Sequence, residues 1–557
     1  MSSIVGIVSK KDEPVERELS AMIRSIWNDN HRTFLAVTEN RMCVGNSPTE
    51  LGLSNIGGSK SMAEIYDGSS GILPSAGVHN QDKKDMVLLS DIELYSRPAV
   101  SECRKRKVDF DIGPDENRLM QLLSVSYKGE LEPAVSKVMK KIDGTFAMAA
   151  FDGRDMVIAR DINGIKQLYM AQKDSKIAFS TDKKALWSIG FNDIERIPPG
   201  HTAKISDEGV VMRSSLRYPS KVKKDVTDIG HAVREYERTL VRSIGKRVRG
   251  LDRVGVVFSG GIDSVLVAHI ASKFVDVTCY CAGLKGSEDI KAAIDAAEQM
   301  GLKIKVREFD IAEAEEDIPK VIAAIEDRQF LQVEAAMPVF IALKLAKEDG
   351  QTVVLNGQGA DELFGGYPWY RVVLEKEGYP KLEHYMWDDF LHGHSETFER
   401  ETKMAKANGL RLRIPYTDPE IVNLALRIDS RLKVRSPDDV LGKFVHRELA
   451  KRLGIPLSIA NRLKEAAQHG SGAHETLMKI ASEKGFDDDS VHAMGYDQEK
   501  SIREKLGSSI RYGYKYSEKE LWTVPDHVQL YLDTIALEND LIGQDELQYI
   551  SGLKAGH

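Results

Sequence analysis

The chain has 557 residues, more than a single hydrophobic core accommodates, so two or three domains are expected. Hydrophobic residues make up 42% and charged residues 29%, the balance of a soluble globular protein, and a formal net charge of −8 argues against a nucleic-acid surface. No apolar run approaches the roughly 20 residues of a membrane span, the start lacks a basic-then-apolar signal, and a protein bound to no membrane, cytoplasmic, is expected. Four cysteines (Cys43, Cys103, Cys279, Cys281) are too few and too scattered for a disulfide framework. Residues 1–215 read as short strands, SIVGIVS, RTFLAVTE, DMVLLSDI, TFAMAAFDG, DMVIARDI, QLYMAQ and KIAFSTD, set apart by turn signals. Helical patterns interrupt near 14–26 and 115–140, which predicts an α+β domain of antiparallel sheets with covering helices. Pro198-Pro199-Gly200 and the basic stretch 214–224 mark where it ends.

From about 228 to 475 strands and helices alternate. A helix at 231–248 leads to a strand at 254, then helix 264–273, strand 276–282, helix 288–301, strand 303–309, helices 313–327 and 334–349, and strand 352–356. Such alternation predicts an α/β, doubly wound parallel sheet whose ligand sits at the carboxyl ends of the strands. Cys279 and Cys281 fall on one face of the second strand and are expected to be buried. Residues 476–557 read as a helical C-terminal extension, and its aromatic patch Tyr512, Tyr514 and Tyr516 is expected to pack rather than to stack on bases.

The most informative stretch is residues 254–264, VGVVFSGGIDS. A β-rich strand turns through Ser259-Gly260-Gly261 straight into a helix, so free N–H groups and the positive helix end face a ligand that comes close to the backbone. Ser259 and Ser264 add hydroxyl donors, and Asp263 can hold a divalent cation against phosphate oxygens. The loop is not a Walker A sequence. It resembles the pyrophosphate loop of ATP pyrophosphatases, which cleave ATP between its α and β phosphates. A second motif, Asn356-Gly357-Gln358-Gly359-Ala360-Asp361-Glu362, follows the strand TVVL and faces the same crevice. Taken alone, Asp361-Glu362 fits helix capping; opposite Asp263, it fits a shared magnesium ion. Further on, RLKEAAQHGSG (462–472) sets Lys464 beside a glycine loop, where it can neutralise charge developing on departing pyrophosphate; a solvated Lys-Glu pair is the plainer alternative.

Together these residues resemble the asparagine synthetases and their relatives, which include β-lactam-forming synthetases, over nearly the whole chain up to about 475. SGGIDS, CAGLKGSEDI, NGQGADELFGGY, RIPYTD (413–418) and RLKEAAQHGSG carry the resemblance. It implies a synthetase domain at 228–475 that uses ATP and Mg2+, with Asp263 and Asp361 as metal ligands and Lys464 stabilising pyrophosphate release. Val257, Ala282, Asn356 and Gly357 match positions that line AMP, alongside Ser259, Gly260, Gly261 and Ser264. Two positions depart from the pattern. Gln358 stands where many members have a glutamate that takes a proton from the attacking nitrogen, and glutamine cannot act as a base near neutral pH. Arg411 stands where an acidic residue is usual.

Residues 1–215 resemble the family's glutaminase domain, with a four-layer fold of the N-terminal-nucleophile hydrolases, through IVGIVS, KIDGTFAMAAFDG, ARDINGIKQLYM, FSTDKKAL and IPPG. Its active residues are absent. Ser2 occupies the nucleophile's position in place of cysteine, no Arg-Gly-Pro-Asp loop occurs near 23–40, LGLSN (51–55) lacks the expected arginine, and Asn-Gly-Glu has become Asp91-Ile92-Glu93 after Ser90. A serine is the poorer nucleophile, so this domain is expected not to hydrolyse glutamine. The function expected is adenylation of a carboxylate, most simply the aspartate side chain, followed by attack of ammonia to give an amide, AMP and pyrophosphate. Alternatives are a β-lactam-synthetase-like or other carboxylate–amine ligase with a different nucleophile, and a catalytically silent nucleotide-binding partner. A homodimer and a separate amidotransferase subunit are the expected partners.

Overall fold

The computed structural model describes residues 3–11, 13–26, 36–39, 42–46, 87–96, 115–206, 208–220, 222–463, 467–502 and 524–555. Ser2, residues 27–35, the LGLSN segment, Cys103, Lys464 and the tyrosines at 512, 514 and 516 lie outside the described residues. The chain falls into two compact units, one of Met1–Arg217 with Gly543–Asp545, the other of Tyr218–Ile542 with Glu546–His557. The extension that begins at 476 is therefore part of the second unit over most of its length.

In the first unit β1 (Ile4–Ser9), β2 (Ala36–Glu39), β3 (Met42–Asn46), β4 (Val87–Leu94), β5 (Gly144–Phe151), β6 (Met156–Arg160), β7 (Tyr169–Lys173), β8 (Lys176–Ser180), β9 (Ile194–Arg196), β10 (His201–Ser206) and β11 (Gly209–Ser214) build two antiparallel sheets. Their orders are β2-β3-β1-β8-β7-β9 and β11-β10-β6-β5-β4. Three apolar cores explain the layering. Ile4, Val8 and Phe179 of one sheet pack against Ala149, Ile158 and Ile205 of the other. The outer face of the first sheet buries Leu19 and Met22 of helix Glu16–Ser25 and Leu186 of helix Lys183–Trp187. That of the second buries Leu119, Leu122 and Val135 of helices Asp115–Ser126 and Leu131–Met139. Four layers, α-β-β-α, result. Strands β3, β9, β10 and β11 carry too little apolar periodicity to be read from sequence; His201-Thr202-Ala203-Lys204 pairs because its neighbours present open edges.

The second unit contains five parallel strands, β12 (Arg253–Val257), β13 (Asp276–Leu284), β14 (Lys303–Phe309), β15 (Val353–Leu355) and β16 (Arg411–Arg413), in the order β14-β13-β12-β15-β16. The sheet reverses direction of growth at β12, so the carboxyl ends of β12 and β15 flank the crevice where such sheets bind ligands. Helices Ile262–Ala271, Glu288–Met300, Ile311–Ile325 and Phe330–Glu348 start and stop within a few residues of the sequence pattern. Cys279 and Cys281 are buried in β13, and burial pushes both thiols up to about 12, which leaves them inert. Helix Asp526–Glu538 of the C-terminal extension is anchored by a buried ion pair, Arg328 Nε to Asp533 Oδ1 at 2.8 Å, with Tyr496 donating to the same carboxylate at 2.7 Å. Among the described residues no single helix is long and apolar enough to cross a membrane.

Candidate active site

Strand β12 ends at Val257, and the chain turns through Ser259-Gly260-Gly261 into helix Ile262–Ala271. Gly260 has φ +69, and a Cβ there would stand 2.4 Å from the carbonyl oxygen of Ala292, so glycine alone fits. Ser264 Oγ donates to the Gly261 carbonyl at 3.0 Å, which closes the first helical turn. The second loop leaves β15 through Asn356-Gly357-Gln358-Gly359 into the short helix Ala360–Phe364. Gly366 passes directly over the Asp361 carboxylate, where a Cβ would come within 1.9 Å of Oδ1.

Val257, Ser259, Gly261, Asp263, Ser264, Asn356, Gly357, Gln358 and Asp361 line one open pocket, a concave site of the kind that takes a small molecule. Of the remaining positions singled out above, Gly260 sits beneath the loop against Ala292, and Ala282 is buried in β13 away from the pocket wall.

The centre of the pocket holds a residue with no advance signal. Lys443 Nζ lies 2.6 Å from Asp263 Oδ2 and 2.6 Å from Asp361 Oδ1, joining the two carboxylates through one ammonium. Lys443 adopts φ +49, a left-handed conformation uncommon for a residue with a side chain and characteristic of functional positions. Its separation from Asp263 is 180 residues, so no spacing rule links them. Arg447 fixes the turn by donating to the carbonyls of Leu441 at 2.7 Å and Gly442 at 3.0 Å; it also reaches the Arg462 carbonyl at 3.1 Å. Arg462 in turn donates to the Ser259 carbonyl at 3.0 Å and lies 3.4 Å from Asp289, which brings the start of the RLKEAAQHGSG segment to the first loop.

Asp263 has further support. His446 Nε2 lies 3.0 Å from its Oδ1, and the other ring nitrogen is 2.7 Å from the Tyr236 hydroxyl. Burial lowers the imidazole's pKa despite the adjacent carboxylate, and a neutral ring protonated on Nε2 satisfies both contacts. Tyr416, in the RIPYTD segment, donates to the Asp263 carbonyl at 3.1 Å. The same segment is tied down by buried Asp418, whose carboxylate meets Arg247 and Lys246 at 2.7 Å each; these cations outweigh burial and hold its pKa below the usual range. Burial and the neighbouring Asp361 push Glu362 up to about 7, while Tyr367 donates to it at 2.7 Å. Two hard carboxylates converging on one cation, beside the glycine loop at a helix start, form a donor set suited to magnesium with phosphate oxygens.

In the first unit Asp91 and Glu93 lie on β4, and Lys166 Nζ reaches them at 3.1 and 3.5 Å. Burial opposes the ammonium charge, but the two carboxylates win and raise its pKa.

Comparison with known proteins places this geometry. The family model for asparagine synthase matches residues 235–379 and 373–535, more than half of the chain. The chain belongs to the asparagine synthase family. A glutamine amidotransferase domain model matches residues 74–188. The chain is 29% identical over 466 residues to a putative glutamine-hydrolysing asparagine synthetase of Methanocaldococcus jannaschii, covering 75% of this chain and 83% of that one. It is 29% identical over 426 residues to asparagine synthetase 3 of Arabidopsis thaliana, covering 73% and 70%. A solved glutamine phosphoribosylpyrophosphate amidotransferase from B. subtilis shares 13% identity over 55% of this chain and 65% of that one, at a TM-score of 0.31, too distant to carry an argument. This family member is accordingly an ATP-dependent, amide-forming carbon–nitrogen ligase with an amidotransferase-like first unit.

Proposed function

We propose that this asparagine synthase family member adenylates the side-chain carboxylate of aspartate and transfers ammonia to it, giving asparagine, AMP and pyrophosphate, without hydrolysing glutamine itself. The observation that carries the reading is the convergence of Asp263 and Asp361 on one cation beside the SGGIDS loop. In this reading Ser259, Gly261 and Ser264 cradle the phosphates, with Gly260 shaping the turn beneath them, and Val257, Asn356 and Gly357 lie along the AMP moiety. Asp263 and Asp361 would hold Mg2+, which when bound supplies charge neutralisation of the triphosphate. Lys443 keeps the two acids together and carries a positive charge into the phosphate end of the pocket. Lys464, after the anchored Arg462, stabilises charge on the leaving pyrophosphate.

Nitrogen arrives as free ammonia or from a separate amidotransferase, in a cytoplasmic setting. Two observations support loss of glutamine hydrolysis: Ser2 replaces the cysteine nucleophile, and the Asp91 and Glu93 carboxylates are already taken by Lys166. A second reading, a carboxylate–amine ligase with a different nucleophile, draws on Gln358 at the position of the expected acid. The test is a stoichiometry. With ATP, magnesium, aspartate and ammonium, the purified protein releases AMP and pyrophosphate in equal amounts and forms asparagine. Release of ADP and phosphate overturns the reading, and product only with another amine selects the second one.

A further inference from the structure

Gln358 leaves the attacking nitrogen without an obvious proton acceptor, and the pocket wall supplies one from a different element. Glu401, on helix Phe398–Ala407, is 1% exposed yet lines the same pocket as Gln358 and Asn356. The Gln358 amide donates to Glu401 Oε1 at 3.3 Å, and the Asn356 side chain lies close enough to favour the charged carboxylate. Arg400 makes a long contact with it, 3.4 Å, and is shared with the Gln332 amide oxygen at 3.0 Å and the Glu396 carbonyl at 3.4 Å. Other charges packed on this helix are committed elsewhere: Lys403 bonds Glu326 and Glu399 at 2.7 and 3.2 Å, and Glu334 meets His474 at 2.8 Å. Across the pocket, Asp263 and Asp361 share Lys443, while Arg462 faces Asp289.

We infer that Glu401 is the general base of the amide-forming step, with Gln358 as the residue that orients it. The inference rests on the ligase reading above. An amine bearing three hydrogens attacks the acyl-adenylate carbonyl, and a C–N bond forms as the carbonyl π electrons move to oxygen. Glu401 takes one proton from the nitrogen, the oxyanion collapses, and the C–O bond to AMP breaks with its electron pair leaving on the phosphate. The carboxylic acid then returns its proton to pocket water. Burial raises the Glu401 pKa, with Arg400 and the two amides opposing, which makes its carboxylate a stronger base than an exposed glutamate. A carboxylate here also attracts a donor that arrives as ammonium, whereas the glutamine at 358 cannot.

The experiment uses Glu401→Gln and Glu401→Asp in the full chain, with matched thermal unfolding as a check on folding. Aspartate-dependent ATP–pyrophosphate exchange reports adenylation, and asparagine formation from ammonium reports the second step. E401Q is expected to lower the ratio of amide formation to exchange by about 10²-fold, the lower range of general-base contributions, with partial recovery in E401D. Plotted against free ammonia, wild-type amide formation falls in acid, and that fall is absent in E401Q. An unchanged ratio in E401Q, or parallel loss of both steps, overturns the assignment while the ligase reading stands. Absence of exchange in the wild type with every amino-acid carboxylate tried overturns both.

Discussion

Removing the Lys443 ammonium gives the sharpest test of how the pocket is built. Lys443→Met keeps the length of the side chain, which is 2% exposed, but leaves the Asp263 and Asp361 carboxylates facing each other without their cation. Removing one partner of a fully buried pair costs about 3–5 kcal/mol. The carboxylates here are 16% and 11% exposed, so water and partial protonation reduce that figure to about 3 kcal/mol. A unit of more than 300 residues shifts its melting temperature by about 2 °C per kcal/mol, so K443M should melt about 6 °C lower in chelator. Millimolar magnesium should then recover much of the loss in K443M, because the paired acids accept it without a competing ammonium, and stabilise the wild type less. Thermal shift with and without magnesium reads both effects. A variant that melts with the wild type in chelator, or an equal magnesium response in the two proteins, refutes the idea that one cation holds these acids together.

Asp361→Asn should lower pyrophosphate release by at least 10²-fold in a protein that still unfolds cooperatively, and full turnover in that variant removes the metal role. Glutamine in place of ammonium should yield almost no amide, and vigorous glutaminase activity shows that Ser2 is competent. Asp389 reports on pH. Burial, reinforced by Glu362 and Glu396, pushes it up to about 8 against the Tyr370 hydroxyl that donates to it at 2.6 Å. The folded chain thus keeps a proton that the unfolded chain releases near pH 4, so this group's contribution to stability is lost as pH rises from about 4 to 8. Asp389→Asn should have a flatter curve of melting temperature against pH and gain on the wild type between pH 5 and 8.5; parallel curves contradict the protonated state.

Local rules reached far into this protein. The SGGIDS and NGQGADE loops, the alternation of strands and helices after 228, and the antiparallel character of residues 1–215 follow from glycine chemistry and hydrophobic period, which act over a few residues. Buried strands such as Val254–Val257 are legible because burial on both faces demands a continuous apolar run. Strands β3 and β9 to β11 are not, since their pairing is decided by the partner strand rather than by their own composition. Lys443, Glu401 and His446 show the same divide at the site. Each is an ordinary charged or polar residue on an amphipathic helix or its cap, and chain order sets it far from the loops it serves. Only folding brings Lys443 between two carboxylates and Glu401 beside Gln358, because the packing of helices over the carboxyl ends of β12 and β15 is a sum of many weak contacts that no short motif encodes.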